Sequence, residues 1–496
     1  MINNVNPPTK LSQIIFALVV ILLVLAPLFR GGNRPIALML IELLGLALLL
    51  LMISQPQRIL VIPRYLRYFI VIFVSIPLLY LIPIPIDWWA VLPGREGYYE
   101  VLSLLEHQDV LFHSFSINSL ATELSNLVII PIAAIFMSCF FLNQKQLFDV
   151  IKFLILLGAL QAIIGLMQFS TSIDHWIRFG IETHSTNAVG TYPNRNHFSG
   201  LLEMILPLAI AYWAICFNHR ISKDSRHHWR TKLAYLADKE SLLIAGVGVV
   251  ILLLILGVVF SRSRTGIALV MLCIFLSAIL LTPKLNRKRG IRGIVFLVTL
   301  VLVIAAQIGL APVFQRFADQ DPLTDSRWTI YRVTSDAISQ YFPLGSGPGT
   351  YESVLLGFQP NNIQHFINHA HNDYLEWMTE LGIFSVILFI GFLSIISWKF
   401  IQLMRNKDWG DINYIQMGCG IGIFLMLLHS LTDYNLRIPA NALIFAFLCG
   451  VFLKSNHEPT KKRVIRNRKA KTYCENNREA KRSLNSPRNQ RNPFLN

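Results

Sequence analysis

Residues 241–260 read SLLIAGVGVVILLLILGVVF, without one charged side chain. A helix rises about 1.5 Å per residue, so such a run crosses roughly 30 Å of hydrocarbon. In lipid every backbone N–H and C=O must be bonded within the segment, so the run is a membrane-spanning helix. The short polar segment Ser261-Arg262-Ser263-Arg264 then turns the chain into a second apolar run at 264–282. Carried outward along all 496 residues, this reading places spans near 11–29, 35–53, 66–86, 122–142, 147–169, 197–217, 241–260, 264–282, 291–311, 376–398, 412–431 and 436–453. Mean hydropathy is +0.51 and only 15% of residues are charged, against roughly 25% in soluble domains. The expected fold is an all-α integral membrane protein of about 12 transmembrane helices, with a large, partly helical loop between the ninth and tenth. Pro77, Pro83 and Pro85 predict that the third span is kinked or unwound at its outer end.

Lys and Arg set the orientation, because they are retained on the cytoplasmic side. With the N-terminus inside, inner segments hold Arg58, Arg64 and Arg67, then Lys145 and Lys152, and a basic tail at 454–496. The outer segment 87–123 carries Arg95 alone against Asp87, Glu96, Glu100, Glu106, Asp109 and Glu123. Both termini are therefore expected in the cytoplasm. The net charge of +16 is concentrated in the tail, whose composition predicts disorder and contact with anionic membrane lipids and not nucleic acid. Cys139, Cys216, Cys273, Cys419 and Cys449 fall inside spans and Cys474 in the tail, so no disulfide framework or zinc spacing is present. The first apolar block lacks a small-residue cleavage site and runs into Arg30-Gly31-Gly32-Asn33-Arg34, the pattern of an uncleaved first span.

Three outer segments are too long for turns. The acidic segment 87–121 opens on Asp87-Trp88-Trp89, residues suited to a membrane interface. Segment 170–196 ends just before a span in Thr191-Tyr192-Pro193-Asn194-Arg195-Asn196. Segment 312–375 is the longest. From Asp325 to Tyr341 it has helical spacing of Trp328, Tyr331, Ile338 and Tyr341, stopped by Phe342-Pro343. Leu344-Gly345-Ser346-Gly347-Pro348-Gly349-Thr350 follows; without a Gly-Lys-Ser/Thr ending it is no nucleotide loop, and its glycines suit tight folding against the membrane or a glycan.

Arg262 and Arg264 stand where outer arginine is disfavoured, either reaching lipid phosphate or forming an anion site with the N–H groups of the next helix. Arg195 also opens a span from outside. Arg327 and Arg332 are near enough to Asp325 and Asp336 for surface ion pairs, or they face an anion. The stretch Asn368-His369-Ala370-His371-Asn372-Asp373-Tyr374-Leu375-Glu376 is an interfacial anchor or an active site. His369 and His371 are too close in sequence for a helical metal pair. Asn368 could cap the following helix, putting a neutral His371 at its N-terminus beside a carboxylate that lets it take a hydroxyl proton. Glu42 and Glu203 lie within spans, where a proton-coupled transporter would place carboxylates.

Several motifs in order resemble the O-antigen ligase family of membrane glycosyltransferases. They are Gly190-Thr191-Tyr192-Pro193-Asn194-Arg195-Asn196-His197, Ser263-Arg264-Thr265-Gly266, and Arg327-Trp328 through Pro343-Leu344-Gly345-Ser346-Gly347-Pro348-Gly349-Thr350-Tyr351. His371-Asn372-Asp373-Tyr374-Leu375-Glu376 with Glu380-Leu381-Gly382, and His429-Ser430-Leu431-Thr432-Asp433-Tyr434 through Ile438-Pro439-Ala440, complete the set. Thr265 departs from the glycine usual in the family. The chain then divides into N-terminal helices (1–160), a ligase-like membrane domain (190–453, including a periplasmic loop at 312–375) and the tail.

The resemblance implies a glycan donor on undecaprenyl diphosphate, transferred without metal or other cofactor to an acceptor hydroxyl at the periplasmic face of the bacterial inner membrane. It implies Arg264 and Arg327 at the diphosphate and His371 as base, oriented by Asn372 or Asp373. Arg195, Arg262, Arg332 and His369 are further substrate-binding candidates. Lipid A–core is the preferred acceptor. O-antigen polymerases and protein O-oligosaccharyltransferases share the motifs, and a transporter or flippase of lipid-linked sugars is the rival of another class.

Overall fold

The structure is a computed structural model describing residues 10–104, 111–180, 187–223, 239–282, 326–360 and 366–455. The helices used below are α1 Lys10–Leu28, α2 Pro35–Ile53, α3 Arg64–Leu79, α4 Ile86–Ala90, α5 Glu96–Leu104, α6 Ser119–Leu127, α7 Ile129–Phe141, α8 Gln144–Phe169, α9 Arg195–Lys223, α10 Lys239–Ser261, α11 Arg264–Leu281, α12 Ser326–Tyr341, α13 Tyr351–Leu356, α14 Asp373–Leu381, α15 Ile383–Arg405, α16 Asp411–His429 and α17 Pro439–Leu453. Among the described residues 9 helices are long and apolar enough to cross a membrane, with α6 and α7 running on as one. Shorter helices, α3 of 16 and α17 of 15 residues, take the places of the third and twelfth expected spans. The expected ninth span, 291–311, and the tail beyond 455 lie outside the described residues.

α9 is the axis of the bundle. It packs against α8, α10, α11 and α16, and Leu201, Leu202, Met204, Ile205, Leu208 and Ala209 on it are wholly buried. Perimeter positions are apolar too: Phe153, Leu156, Val249, Ile387 and Trp398 are exposed, as on helices solvated by lipid. The hairpin between α10 and α11 is as tight as its sequence predicts, with Arg262 at φ 56° and Ser263 accepting Gly266 N–H at 3.3 Å as the cap of α11.

The proline-rich end of the third span unwinds as expected. α3 stops at Leu79, Pro77 O accepts from Asn126 Nδ2 at 3.2 Å, and Pro83–Pro85 (β1) pairs antiparallel with Phe112–Ser114 (β2). The acidic segment is folded onto the large loop. Trp89 is buried with Ile117, Ala337, Tyr341 and Val354, whereas Trp88 is exposed. The buried Arg95 donates to the carbonyls of Pro93 (2.7 Å), Phe115 (3.3 Å) and Gly345 (2.8 Å). Burial lowers its pKa to about 10, still high enough to keep it charged, and it lies over the rings of Phe115 and Tyr341.

The tenth span differs from the expected 376–398. Gly382, at φ 53° and ψ −131°, breaks the chain into α14 and α15, so Glu376 and Glu380 stand on a separate short helix before the span. The glycine turn causes this. Ser346 N–H donates to Thr379 O (3.0 Å), Gly347 N–H to Glu380 O (2.9 Å), and Ile383 N–H to Pro343 O (2.8 Å). The turn therefore folds against the chain's own helix break. A Cβ on Gly382 would collide with Pro343 O, and one on Gly345 would lie 2.7 Å from Gly382 N. Gly382→Ala combines a glycine-only conformation with this clash. It should cost about 3 kcal/mol or more, seen as a lower thermal midpoint in detergent; an unchanged midpoint would show that the crossing can relax.

Candidate active site

The site is built on the connection from α16 to α17. His429 O, at the end of α16, accepts the N–H groups of Thr432 (2.9 Å) and Asp433 (3.1 Å), fixing the turn that carries Asp433. Asp433 is fully buried and is the centre of the cluster. Its Oδ1 accepts Tyr434 N–H (2.9 Å) and lies 3.2 Å from His371 Nδ1; its Oδ2 accepts from Asn196 Nδ2 (2.5 Å) and faces Arg327 Nη2 at 3.8 Å. His197 Nε2 lies 3.7 Å from Oδ1, beyond hydrogen-bond length. Burial alone would raise the Asp433 pKa, but the adjoining His197 and His371 outweigh it and hold the carboxyl well below its ordinary value.

Asn372, not the exposed Asn368, caps α14: its Oδ1 accepts the N–H groups of Tyr374 (3.0 Å) and Leu375 (3.2 Å). His371 therefore sits just before the cap, at φ 50°, with its carbonyl held by Tyr331 Oη at 3.1 Å. The carboxylate on its ring is Asp433, not its neighbour Asp373. Asp373 is turned inward, with Oδ2 accepting Leu436 N–H at 3.0 Å and burial pushing its pKa up to about 7. Asn372 Nδ2 donates to Leu431 O at 2.9 Å.

His369 belongs to a second pair. Its Nδ1 lies 3.1 Å and 3.3 Å from the two oxygens of buried Glu376, which also accepts Ala370 N–H at 2.8 Å. Arg437 places Nε 3.3 Å from Glu376 and donates from Nη2 to Glu380 at 2.6 Å. Glu376 and Glu380 are one helical turn apart, so one guanidinium reaches both. Burial would raise the Glu376 pKa; the His369 hydrogen bond and the Arg437 charge together bring it below its ordinary value.

Of the candidate arginines, Arg327 joins the cluster directly, donating from Nη1 to Thr432 O at 2.8 Å. It faces Asp433 and not the helix-surface partner Asp336; Asp325 lies outside the described residues. Arg264 opens α11, where Thr265 Oγ1 meets Thr432 Oγ1 at 3.0 Å, so the hairpin abuts the Asp433 turn. Thr265, the departure from the family pattern, thus makes a contact that glycine could not. Arg195 opens α9 one residue before Asn196. Arg262 turns to Phe169, with its guanidinium 5.2 Å from the ring centroid. Arg332 is exposed, and no described contact joins it to the cluster.

Beneath the cluster, Glu203 accepts Ser199 Oγ at 2.6 Å and lies 2.9 Å from His429 Nδ1, with both side chains buried. A Cβ on Gly266 would lie 2.8 Å from Glu203 Oε1, which places this carboxylate at the N-terminus of α11 while His429 ends α16. Glu42, half-buried on α2, has no described contact with the cluster.

Asp433, Tyr434, Glu376, Glu380, Arg437 and His429 were not singled out from the sequence as site residues, although each lay inside or near a quoted motif. For all but Tyr434 the available signal was an ionisable side chain in or beside an apolar stretch. The partners that give that charge a role lie on other helices.

The fold and this cluster define a polytopic membrane protein with histidines, carboxylates and arginine gathered at one end of its bundle. Residues 249–390 match the family model described as O-Antigen ligase, so this segment is similar to the O-antigen ligase family, whose function is of the ligase or polymerase type. The match takes in Arg264, Arg327, His369, His371 and Glu376. No curated protein matches the chain significantly.

Two outcomes follow. Asp433→Asn should lower glycan transfer about 100-fold or more, because an amide can hold His371 in the wrong tautomer, whereas Asp373→Asn, which still accepts from Leu436, should stay within about threefold. Equal losses would mean that Asp433 does not orient His371. Glu203→Ala should cost about 3–5 kcal/mol by leaving His429 buried without its partner, measured as a lowered unfolding midpoint; a wild-type midpoint would rule out a stabilising pair.

Proposed function

We propose that the protein transfers a glycan from undecaprenyl diphosphate to an acceptor hydroxyl at the periplasmic face, with lipid A–core as acceptor. The observation that carries this reading is His371 Nδ1 at 3.2 Å from a buried, ionised Asp433, beside Arg327. A carboxylate there accepts Nδ1–H and leaves the Nε2 lone pair available as a base. His371 is 29% exposed, so a hydroxyl can reach it.

In the transfer, the acceptor oxygen bonds to the sugar C1 and its proton passes to His371 Nε2. The bond from C1 to the diphosphate breaks with its electron pair on the departing oxygen. Negative charge grows there, and Arg327 and Arg264, carried by elements that both reach Thr432, would neutralise it. Direct displacement inverts the anomeric centre. The Lys/Arg distribution supports the periplasmic placement, and Glu203, the carboxylate a transporter would use, is already engaged by Ser199 and His429, which favours an enzyme.

His371→Ala should lower transfer by about 10²–10⁴-fold in membranes supplied with both lipid substrates; full transfer would sink the proposal. The acceptor is identified by the surface glycans of a deletion strain. Unlinked lipid-bound long chains indicate a ligase, single repeat units on lipid A–core a polymerase, and intact lipopolysaccharide with unglycosylated protein an oligosaccharyltransferase.

A further inference from the structure

His371 is held in a backbone conformation that its residue type resists. At φ 50° it lies in the left-handed region, where the Cβ of an L-residue crowds the following carbonyl, so the surrounding structure has to enforce it. The chain is anchored on both sides. Ala370 N–H donates to Glu376 at 2.8 Å, and Asp373 N–H donates to Ser430 O at 3.0 Å. Between these anchors, the His371 carbonyl accepts Tyr331 Oη at 3.1 Å, from α12 of the large loop. A tyrosine hydroxyl has one hydrogen to give, and the other carbonyl near it, Leu431 O at 3.4 Å, already receives Asn372 Nδ2 at 2.9 Å. Rotation about N–Cα moves the carbonyl and Cβ as one body. A donor that fixes the carbonyl therefore fixes the direction in which the imidazole leaves the chain.

We propose that Tyr331 is a positioning residue for His371: its hydroxyl holds the His371 carbonyl, and with it the left-handed backbone that aims the ring at Asp433. This rests on the glycan-transfer reading, in which His371 takes the acceptor proton; Tyr331 acts through that histidine and takes no part in bond making. Tyr331 follows Arg327 by one helical turn, so one face of α12 presents both side chains to the 431–433 turn. Arg327 donates to Thr432 O at 2.8 Å, while Tyr331 stands between Leu431 O and His371 O. The tyrosine ring is set edge-on to Trp328, with centroids 5.8 Å apart and planes at 80°. Docking of α12 does not depend on the hydroxyl. Ile330 and Val333 pack with Ile367 and Ala370 in an apolar cluster beside it, and Thr334 Oγ1 meets Tyr351 Oη at 2.7 Å. Loss of the hydroxyl alone therefore leaves the helix in place and releases the carbonyl.

The test is steady-state transfer by the full-length protein in membranes supplied with both lipid substrates, with rates taken per folded protein. Tyr331→Phe keeps the ring and loses the hydrogen bond. It should lower kcat about tenfold, the size of one hydrogen bond, with KM for each lipid within about twofold of wild type. Tyr331→Leu, the second variant, should lose at least as much. In a His371→Ala background, Tyr331→Phe should lower the residual transfer no further, because a residue that acts through the histidine has nothing left to position. A merely structural role predicts the same loss in both backgrounds. Wild-type kcat in Tyr331→Phe, a loss confined to KM, or a loss that persists without the imidazole would overturn the inference and leave the transfer reading standing. Full transfer by His371→Ala would instead remove that reading.

Discussion

A buried carboxylate in a membrane protein must be surrounded by donors, and Asp433 meets that requirement with groups from four parts of the chain. Tyr434 N–H comes from its own turn, Asn196 from α9, His371 from the segment before α14 and Arg327 from α12. Withdrawing any of them leaves a buried carboxylate with fewer donors to offset its lost hydration. The carboxylate thus forces these four elements into one arrangement, and that arrangement is the candidate active site. Stabilising the charge and orienting His371 are one interaction.

The support around it follows the same logic. Arg437 gathers Glu376 and Glu380 on α14, and the His429–Glu203 pair ties α16 to α9 below the turn. At the other side of α14, backbone meets backbone where the glycine turn crosses Gly382, while Arg95 holds that turn from the acidic segment. Polar groups far apart in sequence replace the hydrophobic driving force that lipid does not supply between helices.

How much of this was legible depended on the range of the interaction. The α10–α11 hairpin, the unwinding after Pro77 and the helix ending at Tyr341 followed from local composition, because caps, prolines and apolar runs act within a few residues. The break at Gly382 did not. Its neighbours read as the start of a span, and only the crossing of residues 343–347 demands a conformation there that other residues resist. The cap was misplaced for a similar reason. Asn368 and Asn372 are chemically equal, and the Leu431 carbonyl on a distant turn favours the second.

By itself, then, the sequence determined that the chain is a set of lipid-spanning helices, since apolar length and backbone hydrogen bonding leave no other solution. Its ordered motifs also marked His371, Arg264 and Arg327. Tertiary structure alone decided which carboxylate serves which histidine, pairing His371 with Asp433 and His369 with Glu376 and turning Asp373 inward. Those pairings are set by helix packing across long sequence separations, and periodicity carries no information about which buried charges will meet.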